Sequence, residues 1–230
     1  MTDSPRPRLS ASHLEDMAYV ALTARPGAEA ADLYPTMSDE VRSKLRSRLK
    51  QFARHDWPAS MQEDAAIRRG YTWRQCCRLI AAFLMMDGHL TPSIAIPICR
   101  NNELSILRAI TARLGGDAPP SPSPTDPLVV VILAELWGQI DEAGSSRAHP
   151  SRIRLVERQS LDDLWSIRAD LGGAGQRLVL DIGTAGAAVW RWISERRLLP
   201  PSACNDVRDD LEELAGEPGF QLVPGRSLRR

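Results

Sequence analysis

The sequence carries no surplus of charge of either sign. Its 29 Lys+Arg balance 29 Asp+Glu, so the total singles out neither nucleic acid nor a membrane surface as a partner. Lysine is nearly absent. Lys44 and Lys50 are the only two, and the remaining cations are arginines, which grip phosphate and guanine bidentately. Cysteine is sparse: Cys76, Cys77, Cys99 and Cys204 include no C-x-x-C pair, and no histidine stands at ligand spacing from them. A disulfide framework is therefore not expected, in keeping with a reducing cytoplasm. Long apolar runs are missing too. The longest, Pro127 to Trp137, is too short to span a bilayer, and the opening MTDSPRPRLSASH lacks the apolar core of a signal peptide. These absences lead to the expectation of a soluble, cytoplasmic protein with no membrane partner.

Catalytic signatures are equally lacking. There is no G-x-S-x-G and no H-E-x-x-H, and His13, His55, His89 and His149 are scattered. The paired carboxylates Asp162-Asp163, Asp209-Asp210 and Glu212-Glu213 fall on expected helix starts or outer faces, where they act as solubilising charge. GGAGQR, Gly172 to Arg177, lacks the Lys-Ser/Thr ending of a Walker loop and reads as a helix stop and turn. VLDIGTAG, Val179 to Gly186, resembles the first phosphate loop of actin-type ATPases. A helix follows it directly, however, and the chain is too short for the paired domains that the resemblance implies. The preferred reading is a tight turn into a core helix, with Gly183 and Gly186 present for backbone reasons. No enzyme, cofactor or metal is expected. Cys76 and Cys77 share an apolar helix face with Trp73 and Ile80, so packing is their expected role.

What is present is an uneven distribution of charge. Residues 1–115 hold 16 basic and 12 acidic residues, whereas residues 42–78 alone hold 10 basic and 3 acidic. This predicts a basic contact surface in the first half. Residues 1–9 read as a disordered tail. GGDAPPSPSPTDP, Gly115 to Pro127, has no large apolar residue and reads as a linker. The expected organisation is a helical domain over 10–115, a linker over 116–127, a small α/β module over 128–217 and a flexible tail over 218–230.

The first half reads as helical. Ser12 and Glu15 fit a capping box before Leu14, Met17, Ala18 and Ala21. A second helix starts near Ser38 with an apolar stripe of Val41, Leu45, Leu49 and Phe52 and basic residues on its other faces. A third runs from Thr72 to Met86, with Gly88 as a left-handed stop. Thr91-Pro92 opens a fourth, which Pro97 should kink or end, and Asn102 starts a last one. In the second half, residues 128–133, 152–157 and 177–183 are β-like and alternate with helical patterns, which predicts a small parallel or mixed sheet. Whether 128–140 is strand, helix or one then the other, periodicity leaves open. The fold class expected is α+β, mainly α.

The segment from Ile67 to Arg100 runs Arg69, Gly70, Tyr71, Thr72, then a helix with Leu79, Ile80, Phe83 and Leu84, then Gly88, then a helix from Pro92 to Ile98. It resembles part of the MerR-type family of winged helix-turn-helix regulators, as a variant with Gly70 inserted and a Pro-rich linker where a long dimerising helix would stand. The resemblance implies that the helix carrying Arg42, Arg46 and Arg48 lies in the major groove of promoter DNA. It also implies that Arg68, Arg69 and Tyr71 hold phosphate, with Arg74 beside them. A homodimer follows, since one short helix buries too little surface for specificity. In the second half, Trp190 and Trp192 flank Arg191, so one tryptophan should face outward as a partner contact, with burial of both the equal alternative. The rival to a DNA-binding transcriptional regulator is a non-enzymatic protein–protein adaptor.

Overall fold

The computed structural model describes residues 6–24, 37–58, 70–114, 123, 125–132, 153–160 and 177–216. The chain is α+β and mainly α. Its helices are α1 (Leu14–Thr23), α2 (Asp39–Arg54), α3 (Trp73–Asp87), α4 (Pro92–Asn101), α5 (Glu103–Thr111), α6 (Ile182–Glu195) and α7 (Ser202–Gly216). The strands are β1 (Pro127–Ile132), β2 (Ile153–Glu157) and β3 (Arg177–Leu180). Among the described residues, no helix is long and apolar enough to cross a membrane.

α3 is the central element. Thr72 caps it through a reciprocal box: Thr72 Oγ1 accepts from the Gln75 backbone N–H, and Gln75 Oε1 accepts from that of Thr72. Its apolar residues are not confined to one stripe, and Trp73, Cys76, Cys77, Leu79, Ile80, Ala81, Ala82, Phe83 and Met85 are all buried. A helix apolar nearly all round belongs in a core, and α1, α4, α5 and α6 pack around this one. Phe83 meets Phe52 of α2 edge-on at 5.0 Å.

The sheet has the order β2-β1-β3 and both pairings are antiparallel, with Val129 opposite Leu155 on one side and Leu180 on the other. This corrects the expected parallel or mixed sheet. Apolar β-like runs mark where strands form but not the direction in which they pair. The segments that join the strands, 133–152 and 161–176, lie outside the described residues, and α6, which follows β3, packs on α1 and α5. Residues 127–132 are strand, and the rest of the 128–140 segment lies outside the described residues, as do residues 161–176, where a helical pattern is expected between the second and third β-like runs.

One apolar core gathers side chains from both sides of the expected linker, including Met17, Ile80, Leu107, Val129, Trp192 and Val207. The packing therefore joins what the linker composition had separated into a helical domain and an α/β module. α6 lies against α5 closely enough that a Cβ on Gly183 would sit 2.7 Å from the Ala109 carbonyl oxygen, and one on Gly186 would sit 2.7 Å from Ile110.

Other expectations fail locally. Residues 6–9 are an ordered strap, with Leu9 buried and exchanging two backbone hydrogen bonds with Tyr71 at 2.7 and 2.8 Å. The Ser12–Glu15 capping box does not form. Ser10 caps a short 3-10 turn, α1 starts after His13, and the Glu15 side chain is drawn to the arginines of α2. Gly88 ends α3 with φ −74, and the left-handed residue is His89 at φ 68. Gly88 instead lies against β3, where a Cβ would sit 2.6 Å from the end of the Leu178 side chain and displace it. Pro97 sits inside α4 on its exposed side, and the helix runs past it to Asn101.

Candidate functional site

α2 is the most basic element of the chain. Ser38 Oγ caps it by accepting from the Val41 backbone N–H, and Asp39 and Glu40 occupy the first turn, where the helix dipole favours them. Among the described residues a narrow stripe holds it to the body: Leu45 and Phe52 are buried, with Val41 and Leu49 half-buried beside them.

The three arginines assigned to groove reading do not share one environment. Arg42 donates from Nη1 to Glu15 at 3.3 Å and from Nη2 to Asp16 at 3.1 Å. Arg46 donates from Nε and Nη2 to the two oxygens of Glu15 at 2.7 and 3.2 Å. Both guanidiniums therefore face α1, against the expectation of outward-pointing readers. The cause is helical geometry: residues 42 and 46 are four apart, so they share the flank next to the buried stripe. Hydrogen bonds from Arg46 hold the Glu15 carboxyl below the usual carboxylate range. Arg48 lies on the other flank, half-buried. The outward face instead presents Lys44, Lys50 and Arg54. Lys44 donates to Glu40 at 2.6 Å, a pair exposed on both sides and correspondingly weak.

Arg68 and Arg69 lie outside the described residues. Gly70 follows them with φ +109, and a Cβ there would meet the Leu9 carbonyl oxygen at 2.5 Å. The glycine that departs from the MerR pattern is thus where the N-terminal strap crosses. Arg8 Nη1 donates to the Gly70 carbonyl at 3.0 Å, and Leu9 pairs with Tyr71. The Tyr71 phenol is half-buried, and desolvation raises its pKa. The Thr72 box occupies two of the backbone donors at the start of α3, which reduces the anion-binding capacity expected of that helix start.

Arg74 is also not a surface contact. Together with Arg78 it surrounds Glu103. Arg74 Nε donates to Glu103 at 2.6 Å, while Arg78 Nε and Nη2 donate to it at 2.8 and 3.1 Å. Arg78 Nη1 also holds the Pro58 carbonyl at 2.9 Å. Arg74 Nη1 reaches Asp210 at 3.4 Å, and Arg6 of the strap grips the same carboxylate at 2.7 and 2.8 Å. Burial pushes the Glu103 carboxyl up, but the hydrogen bonds and charge of Arg74 and Arg78 outweigh it and hold it below its ordinary range. The network ties the strap, α3, α5 and α7 together. No local pattern marks it, because its members are separated by up to 204 positions.

In the second half, Trp192 is 1% exposed and packs edge-on against His13, so it is a core residue and not a partner contact. Trp190 is half-buried, with its ring 5.0 Å from that of Trp73, and Arg191 beside it is half-buried. The VLDIGTAG segment forms the end of β3 and the start of α6. Asp181 caps α6, accepting from the Thr184 N–H at 3.0 Å and its hydroxyl at 2.7 Å, and pairs with Arg158. Burial raises this carboxyl, but Thr184 and Arg158 reverse the shift and lower it. An ionised carboxylate thus occupies the helix start where a nucleotide phosphate would have to sit. Beside it opens a cleft of about 480 Å³, lined by Leu22, Leu84, Asp87, Arg158, Leu178 and Asp181 among others.

All four cysteines are free and buried. Burial raises the thiols of Cys76, Cys77 and Cys99, and pushes that of Cys204 up to about 12. The expected outcome is that an aromatic disulfide reagent at neutral pH titrates no thiol in the native protein and all four once it is unfolded. One thiol reacting rapidly in the native state would contradict this burial. Among the described residues, no group of three His, Cys, Asp or Glu side chains is placed to hold a metal ion. No family model, curated protein or solved structure matches the chain.

Proposed function

We propose that this protein is a DNA-binding transcriptional regulator of a variant MerR-like helix-turn-helix kind, acting on promoter duplex as a homodimer. One observation carries the reading. α2 is held by a narrow apolar stripe and turns Lys44, Lys50 and Arg54 outward, its own carboxylates confined to the first turn, where Glu40 pairs with Lys44. At 16 residues it is about 24 Å long, and the major groove of B-form DNA admits a helix. Lys44, Lys50 and Arg54 contact the phosphates that flank the groove, with Arg48 at its edge. Such contacts supply affinity and register, while base discrimination needs further residues.

The test is retention of fragmented genomic DNA by the purified protein, followed by titration of an enriched duplex over a range of salt. Affinity should fall as salt rises, with a log–log slope of about −0.9 for each phosphate neutralised. Lys50→Glu/Arg54→Glu should weaken binding by about tenfold or more at low salt. Absence of retention at moderate salt would overturn the reading.

The adaptor reading has one observation of its own. Val179 is a large apolar side chain 37% exposed on β3, an edge strand of the sheet. An adaptor docking there would show salt-insensitive association with a protein partner and no DNA shift.

A further inference from the structure

We propose that Glu15 of α1 is an internal competitor for DNA phosphate, which holds Arg42 and Arg46 in reserve and so sets the strength and salt dependence of DNA binding. The inference rests on the DNA-binding reading of α2. A phosphate offers anionic oxygens to a guanidinium as a carboxylate does, and arginine takes either bidentately. Glu15 presents one oxygen to Arg46 Nε at 2.7 Å, and its other oxygen to Arg46 Nη2 at 3.2 Å and to Arg42 Nη1 at 3.3 Å. Asp16 takes the remaining Arg42 contact at 3.1 Å.

The accessibility of the partners makes the exchange feasible. The Glu15 side chain is 15% exposed, whereas those of Arg46 and Arg42 are 57% and 36% exposed. The carboxylate is thus the fixed part of the clamp. The guanidiniums are its reachable part, on the flank of α2 adjoining the outward basic face. A duplex laid along that face brings phosphates within reach of both arginines. Each then exchanges a carboxylate for a phosphate, so the net gain is small while Glu15 keeps its charge. Neutralising Glu15 removes the competitor, releases Arg46 to the duplex and leaves Arg42 held by Asp16 alone.

The experiment compares wild type, Glu15→Gln, Asp16→Asn, Glu15→Gln/Arg46→Ala and the charge-matched control Glu213→Gln on α7. Binding to a fluorescent 30-base-pair duplex is followed by anisotropy over a salt series, with folding checked by thermal melting. Glu15→Gln is expected to tighten binding about three- to tenfold at low salt, and to steepen the log–log slope by about 1–2 as up to two more phosphates are neutralised. Asp16→Asn, which loosens Arg42 alone, should give a smaller gain in the same direction. The Arg46→Ala change should cancel most of the Glu15→Gln gain. Wild-type binding with no gain in Glu15→Gln, or an equal gain in Glu213→Gln, would overturn the competitor while leaving the DNA-binding reading intact. No binding by any folded variant at low salt would overturn both.

Discussion

Glu103→Ala is expected to lower the unfolding free energy by about 3–5 kcal/mol, the cost of breaking a buried ion pair from one side. Its two partners are themselves shielded, Arg78 with 8% and Arg74 with 18% of the side chain exposed. Without the carboxylate, Arg78 keeps the Pro58 carbonyl and Arg74 keeps Asp210, but two guanidiniums then face each other across a vacated site. Glu103→Gln should fall between, because its amide oxygen still accepts while the negative charge is gone. Urea denaturation followed by circular dichroism measures both. Glu40→Ala, which removes an exposed pair with Lys44 and a first-turn carboxylate of α2, should lower the midpoint far less than Glu103→Ala does. A Glu103→Ala midpoint equal to wild type would mean that the network is ornamental.

The same carboxyl gives the pH dependence its sign. Its folded pKa lies below the unfolded value of about 4.3. The group therefore contributes stability that is fully present above that value and is lost as pH falls through the folded one. Asp181, also lowered, acts in the same direction. The melting temperature of the wild type should fall steeply below about pH 4. Glu103→Gln should fall less steeply, since one of the carboxylates responsible is no longer there to protonate.

Much of the helical scaffold is legible from local chemistry. Ser38 and Thr72 at helix starts, the stripe of Val41, Leu45, Leu49 and Phe52, and Pro92 at a first turn are local signals, and each appears at the expected element. What was not legible is long-range. Helical spacing puts Arg42 and Arg46 on one flank of α2, but only the approach of α1 shows that this flank faces Glu15. Arg74 reads as a basic residue beside a phosphate-gripping segment until Glu103 and Asp210 are brought to it from 29 and 136 positions away. Leu9 reads as part of a tail because a single strand residue has no periodicity; its pairing with Tyr71 depends on a partner 62 residues on. The strand order followed the same rule. Apolar β-like runs mark strands, but nothing in the runs themselves says that both neighbours of β1 pair with it antiparallel.

Gly183→Ala is expected to destabilise the protein by about 1–3 kcal/mol, the usual cost of overpacking a filled interface. The atom that a new methyl would meet is the Ala109 carbonyl oxygen at 2.7 Å, and backbone of α5 cannot move aside cheaply. Gly186→Ala tests the same interface with the opposite intrinsic bias. Alanine in a helix interior gains about 1 kcal/mol over glycine, yet its methyl would sit 2.7 Å from Cγ2 of Ile110, a fully buried β-branched side chain. A lower melting temperature in both variants would show that these glycines let α5 and α6 touch. A higher one in Gly186→Ala would mean that the helices have room to spare. Millimolar ATP separates this role from a phosphate-loop role. A ligand bound only to the folded state must raise the melting temperature, whereas the Asp181 carboxylate at the start of α6 repels a phosphate. ATP should therefore leave the wild type unchanged, and a clear rise that Gly183→Ala abolishes would return the segment to nucleotide binding.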